Sequence, residues 1–262
     1  IAEGCDNCCS YCAIPMIRGR YRSRSSKDII DEVKSLVSDG VSEVILVAQD
    51  TTRYGEDLDS GESLTSLLNE LCQIDGLHWI RILYSYPERI TDEFLDVMAN
   101  QPKIVKYIDM PIQHVNADVL AAMNRQGDEQ SIRALIDKIR TKMPDITLRS
   151  TLIAGFPGET QEQFEQLSDF VRDMQFDRMG CLAYSQEENT KAAKKPNQLD
   201  EETKNHRAEI INEQQTYIMI SKNENLVGNE VEVVVEGFDR YAECYFGRSA
   251  ADAPDIDPKI FF

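Results

Sequence analysis

Short apolar runs alternate with amphipathic stretches along most of this chain. "EVILVAQ" (Glu43–Gln49) is β-branched and uninterrupted, bounded by Gly40 and Asp50, as a strand buried on both faces should be. The same texture returns at Trp79–Pro87, Ile104–Pro111, Ile146–Gly158 and Met179–Ser185, and the residues before Cys5 predict a first short strand, making six. Between these runs the apolar period changes to that of a helix. In "SKDIIDEVKSLVSDG" it puts Ile29, Ile30, Val33, Leu36 and Val37 on one face, with Ser26 as N-cap and Gly40 just past the C-terminus. Five further segments follow the same rule, with Thr91, Asn116 and Thr160 as predicted caps. Cys72 falls on an apolar helix face and reads as core.

Strand–helix alternation at this spacing predicts parallel strands joined by right-handed crossovers. The length suits an α/β fold built as an open, partial (β/α)6 barrel better than a closed eightfold one. Ligands are then expected at the C-terminal ends of the strands. After Tyr184, "SQEENTKAAKKPNQ" reads as a loop, followed by a helix from Asp200 to about Asn223. Beyond it the period falls to two, and "GFDR" reads as the turn of a hairpin. Two domains are expected, residues 1–224 and a small β domain over 225–262. Ending at "KIFF", the second is too short for a closed barrel and reads as incomplete. Starting at Ile1 without a Met, the first reads as excised from something longer.

Charge narrows the choice of partners. The 262 residues carry 28 Lys and Arg against 46 Asp and Glu, a net charge of −18. Nucleic-acid binding needs basic surface, so the balance argues against nucleic acid as main partner. A basic partner, or simply a solvated acidic surface, fits better. No apolar run reaches the ~18–20 residues of a membrane span, and no signal peptide is visible. A cytoplasmic location with no membrane partner is expected.

Four of the seven cysteines lie within Cys5–Cys12. Adjacent Cys8 and Cys9 make a poor disulfide framework, and clustered thiols point to a reducing compartment and a metal. One parse pairs Cys5-x2-Cys8 with Cys9-x2-Cys12 as a zinc site, but it lacks the spacer that lets two knuckles face each other. The other is Cys5-x3-Cys9-x2-Cys12. Three thiolates can hold three irons of a [4Fe–4S] cube and leave the fourth open to a small chelator. Cys8 is then a bystander.

Cys5, Cys9, Tyr11 and Cys12 together resemble the Cys-x3-Cys-x-aromatic-Cys signature of radical S-adenosylmethionine (SAM) enzymes. That resemblance implies SAM on the open iron through its amino and carboxylate groups, Tyr11 near its adenine, and a partial (β/α)6 barrel. "EGCDNCCSYCAIPMIRGRYRSR", "LVAQDTTRYG", "DMPIQHVNADVLAAMNR", "TLIAGFPGETQEQF" and "LAYSQEEN" narrow it to the methylthiotransferases of this class, over roughly residues 1–224. The terminal β segment resembles their TRAM domain. Cys8 departs from the family pattern, which has a basic or polar residue there.

The resemblance assigns further contacts. Gln49 and Asp50, ending the second strand, would accept hydrogen bonds from SAM's ammonium. Gln113 and His114, ending the fourth, would lie near the ribose and substrate, and Arg149 would reach SAM's carboxylate. Gly155 and Gly158 in "GFPGET" would let backbone approach the cofactor. Arg18, Arg20, Arg22 and Arg24 give residues 1–24 a charge of +2, fitting either local neutralisation of a cluster or salt bridges to the acidic body.

Within the family the substrate is either an adenosine in tRNA or an aspartate of small-subunit ribosomal protein twelve. Residues 225–262 hold eight acids against three bases, a net charge of −5, which suits a basic ribosomal protein better than tRNA. "LYSYPERIT" and "YFGRSAADAPDIDPKIFF" resemble the ribosomal-protein subgroup. The implied reaction takes an electron from an external donor and splits SAM into methionine and a 5′-deoxyadenosyl radical. A hydrogen is then abstracted from the aspartate β-carbon, and a methylthio group is added there. The family carries a second [4Fe–4S] cluster on an N-terminal domain that this chain is expected to lack. SAM cleavage with little methylthio transfer is therefore expected. The alternatives are tRNA methylthiolation, a zinc-binding non-catalytic module, and an acidic ribosome-binding protein that never cleaves SAM.

Overall fold

The structure, a computed structural model, describes residues 1–262. It opens with β1 (Ala2–Glu3), the cysteine loop, α1 (Ile14–Arg18) and β2 (Arg22–Ser23). The predicted alternation follows: α2 (Ser26–Ser38), β3 (Glu43–Leu46), α3 (Leu64–Cys72), β4 (Trp79–Ile82), α4 (Asp92–Asn100) and β5 (Tyr107–Asp109). Then come α5 (Ala117–Ala122), α6 (Glu129–Lys142), β6 (Thr147–Ala154), α7 (Gln161–Met174), β7 (Arg178–Ala183) and the long α8 (Glu201–Glu224). Thr91, Asn116 and Thr160 cap their helices as predicted. The first cap moves by one residue: Ser25, with extended backbone, accepts from the Asp28 N–H, while Ser26 has already turned helical.

β3 pairs with β4, β5 with β6 and β6 with β7, all in parallel. A parallel bridge from Ile80 to Ile104 joins the two groups into one curved ladder. The open-barrel expectation holds, but the first strand pairs differently. β1 runs antiparallel to β2, Ala2 opposite Ser23, and meets the ladder through the Ile1 amine on the Val47 carbonyl at 2.9 Å. The cause is the cysteine loop, which doubles back so that the Cys5 N–H reaches the Gly19 carbonyl (3.2 Å) and brings β2 against β1.

The two-residue strand period sorts side chains to either face of the ladder. Ile80, Ile82, Ile108, Leu148 and Leu152 point out and pack with Leu67, Leu71, Leu95, Met98, Ile136, Ile139, Leu167 and Val171 from the flanking helices. Cys72 belongs to this core, as expected. Trp79 and Tyr107 point the other way and pack together with Leu83 and Val105. This inner face holds the polar chemistry.

The C-terminal unit is an antiparallel sheet in the order β10 (Ile260–Phe261), β9 (Cys244–Arg248), β8 (Val234–Asp239). Its turn lies later than "GFDR" suggests, because the Asp239 carboxylate accepts the Tyr241 and Ala242 N–H groups and takes the turn there. Gly237 stays in the strand, where a Cβ would strike the Phe246 ring at 2.7 Å.

Candidate functional site

The cysteine loop is pinned from several sides. Ser10 donates from its amide to the Met123 carbonyl (2.8 Å) and from its hydroxyl to Ala122 O (2.8 Å), while its own carbonyl accepts the Ala192 N–H (2.8 Å). Asn124 donates to Cys8 O at 3.0 Å, and Asn7 to the Asp50 carboxylate at 2.9 Å. The left-handed backbone of Cys8 (φ 53°) turns its side chain to solvent. Cys5, Cys9 and Cys12 line one cavity of about 380 Å³, whereas Cys8 is not part of it. The volume lies within the range of small-molecule sites.

Gly4 closes this loop. It has φ 77°, and a Cβ there would stand 2.1 Å from the Arg20 carbonyl oxygen. Gly4→Ala is therefore expected to open the loop and destabilise the protein by about 2 kcal/mol or more, measurable by denaturant unfolding.

Tyr11, Gln49, Gln113 and Arg149 line the same cavity, so the structure brings together these four with the three cysteines. Gln113 holds its place with φ 68° and a parallel bridge to Leu152. Tyr11 is half-buried, and desolvation first, then Cys9, pushes its phenol pKa up. Burial likewise raises the Cys5 and Cys12 thiols, which would lose their protons on binding a metal. No three His, Cys, Asp or Glu side chains converge on a single-ion position. A one-ion cage needs such a point; a cube needs one thiolate at each of three separate irons, and three thiols lining one cavity fit that group.

Four expected contacts lie elsewhere: Gly158, which gives its N–H to the Asn197 carbonyl at 2.9 Å, and three more. Asp50 is fully buried, bonded by Asn7 and by Thr52 (2.6 Å), with Arg89 at 3.6 Å. It braces the cysteine loop rather than facing the cavity. His114 is also fully buried: Nδ1 accepts the Asn116 N–H (3.0 Å), and Nε2 stands 3.4 Å from Glu159. Gly155, with φ 74°, gives its N–H to the Glu159 carboxylate, and a Cβ would meet Lys204 Cγ at 2.5 Å. It admits α8, not a ligand. Glu159 is the centre of this group, held also by Arg207 at 2.6 Å. Burial alone would raise its carboxyl, but His114, the Gly155 N–H and Arg207 hold it below the usual range.

The four arginines of the opening stretch line no part of the cavity. Arg22 pairs with Glu3 at 3.5 Å and Arg24 with Glu32 at 2.6 Å, both at the surface. The cations at the cavity are Arg149 and Arg125. Arg125, which the sequence reading missed, is buried, stacks 4.1 Å over the Tyr86 ring and donates to Pro111 O at 3.0 Å. Tyr86, also missed, places its hydroxyl 3.3 Å from Cys9 Sγ. A phenol there can donate to a ligand sulfur, which stabilises the more negative state of a thiolate–metal centre.

An open parallel barrel with three spaced cysteines on the loop after its first strand defines the radical-SAM class of protein. The profile of the Radical SAM superfamily matches residues 1–171 and that of the TRAM domain residues 227–262, and the chain belongs to the radical SAM superfamily. It is 47% identical to the ribosomal protein uS12 methylthiotransferase RimO of Geobacter sulfurreducens and 51% identical to that of Desulforamulus reducens, over 100% of this chain in each case. The chain spans 59% of the length of either relative. Among solved structures, the coproporphyrinogen III oxidase HemN of Escherichia coli superposes with a TM-score of 0.59 at 19% identity, over 84% of this chain and 51% of that one. The methyltransferase TsrM of Kitasatospora setae gives 0.56 at 20%, over 68% and 34%. These two likenesses concern the fold alone.

Proposed function

We propose that this chain is the cluster-binding catalytic part of a methylthiotransferase that modifies the β-carbon of an aspartate in ribosomal protein uS12. The observation that carries the reading is that Cys5, Cys9 and Cys12 line one cavity, with Cys8 turned out. The relatives named above support the substrate, as does the net charge of −5 over residues 225–262, which favours a basic protein over tRNA. We divide the chain at residue 224, place it in the cytoplasm and assign it an external electron donor. No helix is long and apolar enough to cross a membrane.

Bound [4Fe–4S] cluster and SAM would supply one-electron cleavage of a sulfonium bond and, with it, a carbon radical able to take hydrogen from the target. The chain's own residues hold and shield that chemistry. Cys5, Cys9 and Cys12 would bind irons, and the Tyr86 hydroxyl, 3.3 Å from the Cys9 sulfur, would donate to it once it is a thiolate. Gln49 and Gln113 would offer amides to SAM's polar groups, and Tyr11 would flank its adenine. Arg149 keeps an Nη2 edge without a protein partner for a carboxylate. Ile14, Pro111 and Leu182 wall the cavity with apolar surface, which limits water.

The test uses reconstituted, reduced protein with SAM and uS12 deuterated at the aspartate β-carbon. Deuterium should appear in 5′-deoxyadenosine with this substrate and not with deuterated tRNA. Transfer from tRNA alone would reverse the substrate assignment.

A further inference from the structure

"SAADAPDIDP" (Ser249–Pro258) does not stay with its own β unit. It folds back onto the inner face of the barrel, where Ala253, 1% exposed, packs with Trp79, Leu83, Val105 and Tyr107. Three barrel arginines meet it there. Arg81, fully buried, donates to Ala250 O at 2.9 Å and Ser249 O at 3.4 Å. Arg178 pairs with Asp252 at 2.7 Å. Arg149 Nε faces Asp257 at 3.8 Å, and the Asp257 carboxylate also accepts from the Tyr107 hydroxyl at 2.6 Å. Within the barrel itself the only carboxylates these three arginines pair with are Glu43 and Asp109. An under-neutralised guanidinium in a buried site is costly, so the segment supplies charge that the barrel lacks.

Arg149 is the one residue lining both the cysteine cavity and the cleft of about 270 Å³ that also takes in Ile256, Asp257 and Pro258. Its Nη1 holds the Asp109 carboxylate at 2.7 Å. The other Asp109 oxygen accepts the Tyr84 N–H at 3.0 Å, and the Asp109 carbonyl accepts the Ser85 N–H at 2.8 Å. Tyr84 sits at φ 61°, a conformation a tyrosine keeps only when its surroundings hold it there. Tyr84, Ser85 and Tyr86 form one wall of the cysteine cavity.

We propose that Asp257 is a positioning residue: from the C-terminal β unit it fixes Arg149 and, through Arg149 and Asp109, the Tyr84–Tyr86 wall. The β unit is thus a built part of the pocket as well as a surface for a partner. This deepens the function proposed above, on which only the kinetic arm of the test rests.

The first arm measures amide hydrogen exchange in the metal-free 262-residue protein. Asp257→Asn keeps the volume and an acceptor for Tyr107. It should speed exchange at Tyr84 and Ser85 about tenfold. Arg149→Met should do the same, and the double variant should go no further than Arg149→Met alone. Asp252→Asn, which loosens the segment without touching Arg149, should lower the melting temperature and leave those two amides alone. In reconstituted protein, Asp257→Asn should raise KM for SAM roughly three- to tenfold with kcat held. Unchanged exchange in folded Asp257→Asn, equal effects of both aspartate variants, additive effects with Arg149→Met, or an unmoved KM would each overturn the proposal. Faster exchange in a protein whose parent never cleaves SAM would sustain it and remove the cofactor reading instead.

Discussion

Alanine at Cys5, Cys9 or Cys12 is expected to abolish SAM cleavage, whereas alanine at Cys8 should leave it within about twofold of the parent. Loss of a hydrogen-bond partner around a metal ligand typically costs about 10–100-fold, and loss of a ligand itself exceeds that. A cube already one protein ligand short has no spare, so iron content should fall with activity. Cys8 lies outside the cavity and contributes its carbonyl to Asn124, which alanine also supplies. Iron analysis together with 5′-deoxyadenosine production by the four single variants checks this. The zinc parse predicts the opposite for Cys8, since it counts that thiol as a ligand.

The largest effect on stability is expected at Glu159→Ala. Its carboxylate faces Arg207 at 2.6 Å, His114 at 3.4 Å and the Gly155 N–H, with its side chain fully buried. Removing one partner of a buried pair strands the other, at a cost of about 3–5 kcal/mol. In a chain of this size that corresponds to roughly 10 °C in Tm. The pH dependence carries a sign. The folded carboxyl titrates below its ordinary range, so its contribution is fully present above the unfolded pKa of about 4.3 and drains away as pH falls through the lower folded value. Acid unfolding of the parent should therefore steepen below about pH 4.3, and Glu159→Ala should flatten that limb. Thermal melts of both proteins across this range decide it.

Local signals placed most of the fold. Periodicity and caps located every crossover helix, because Thr91, Asn116 and Thr160 each announce a helix start within a few residues. Spacing, together with the radical-SAM signature it resembles, set Cys8 apart from the three thiols that share the cavity. What local patterns could not carry was pairing across the chain. His114, Glu159 and Arg207 meet across gaps of more than forty residues, and nothing near "QH" or "GET" points to Arg207. Their union explains why two expected cofactor contacts, His114 and Gly155, became structural. Asp50 was absorbed in the same way by Asn7 and Thr52. Arg125 lies just past a short helix, where a lone arginine looks like solvated surface, and only the fold carries it over Tyr86 beside Cys9. The return of Ser249–Pro258 to the barrel was equally hidden, although its two buried aspartates, Asp252 and Asp257, are the residues a basic inner face requires.

The proposed function stands on three thiolates holding a four-iron cluster with one iron left for SAM. Electron paramagnetic resonance of the anaerobically reconstituted, reduced chain, recorded before and after adding SAM, tests it most directly. One [4Fe–4S] signal per chain is expected, with a line shape that changes when SAM binds the open iron. A cluster signal indifferent to SAM, or a silent protein holding a single zinc, would contradict it.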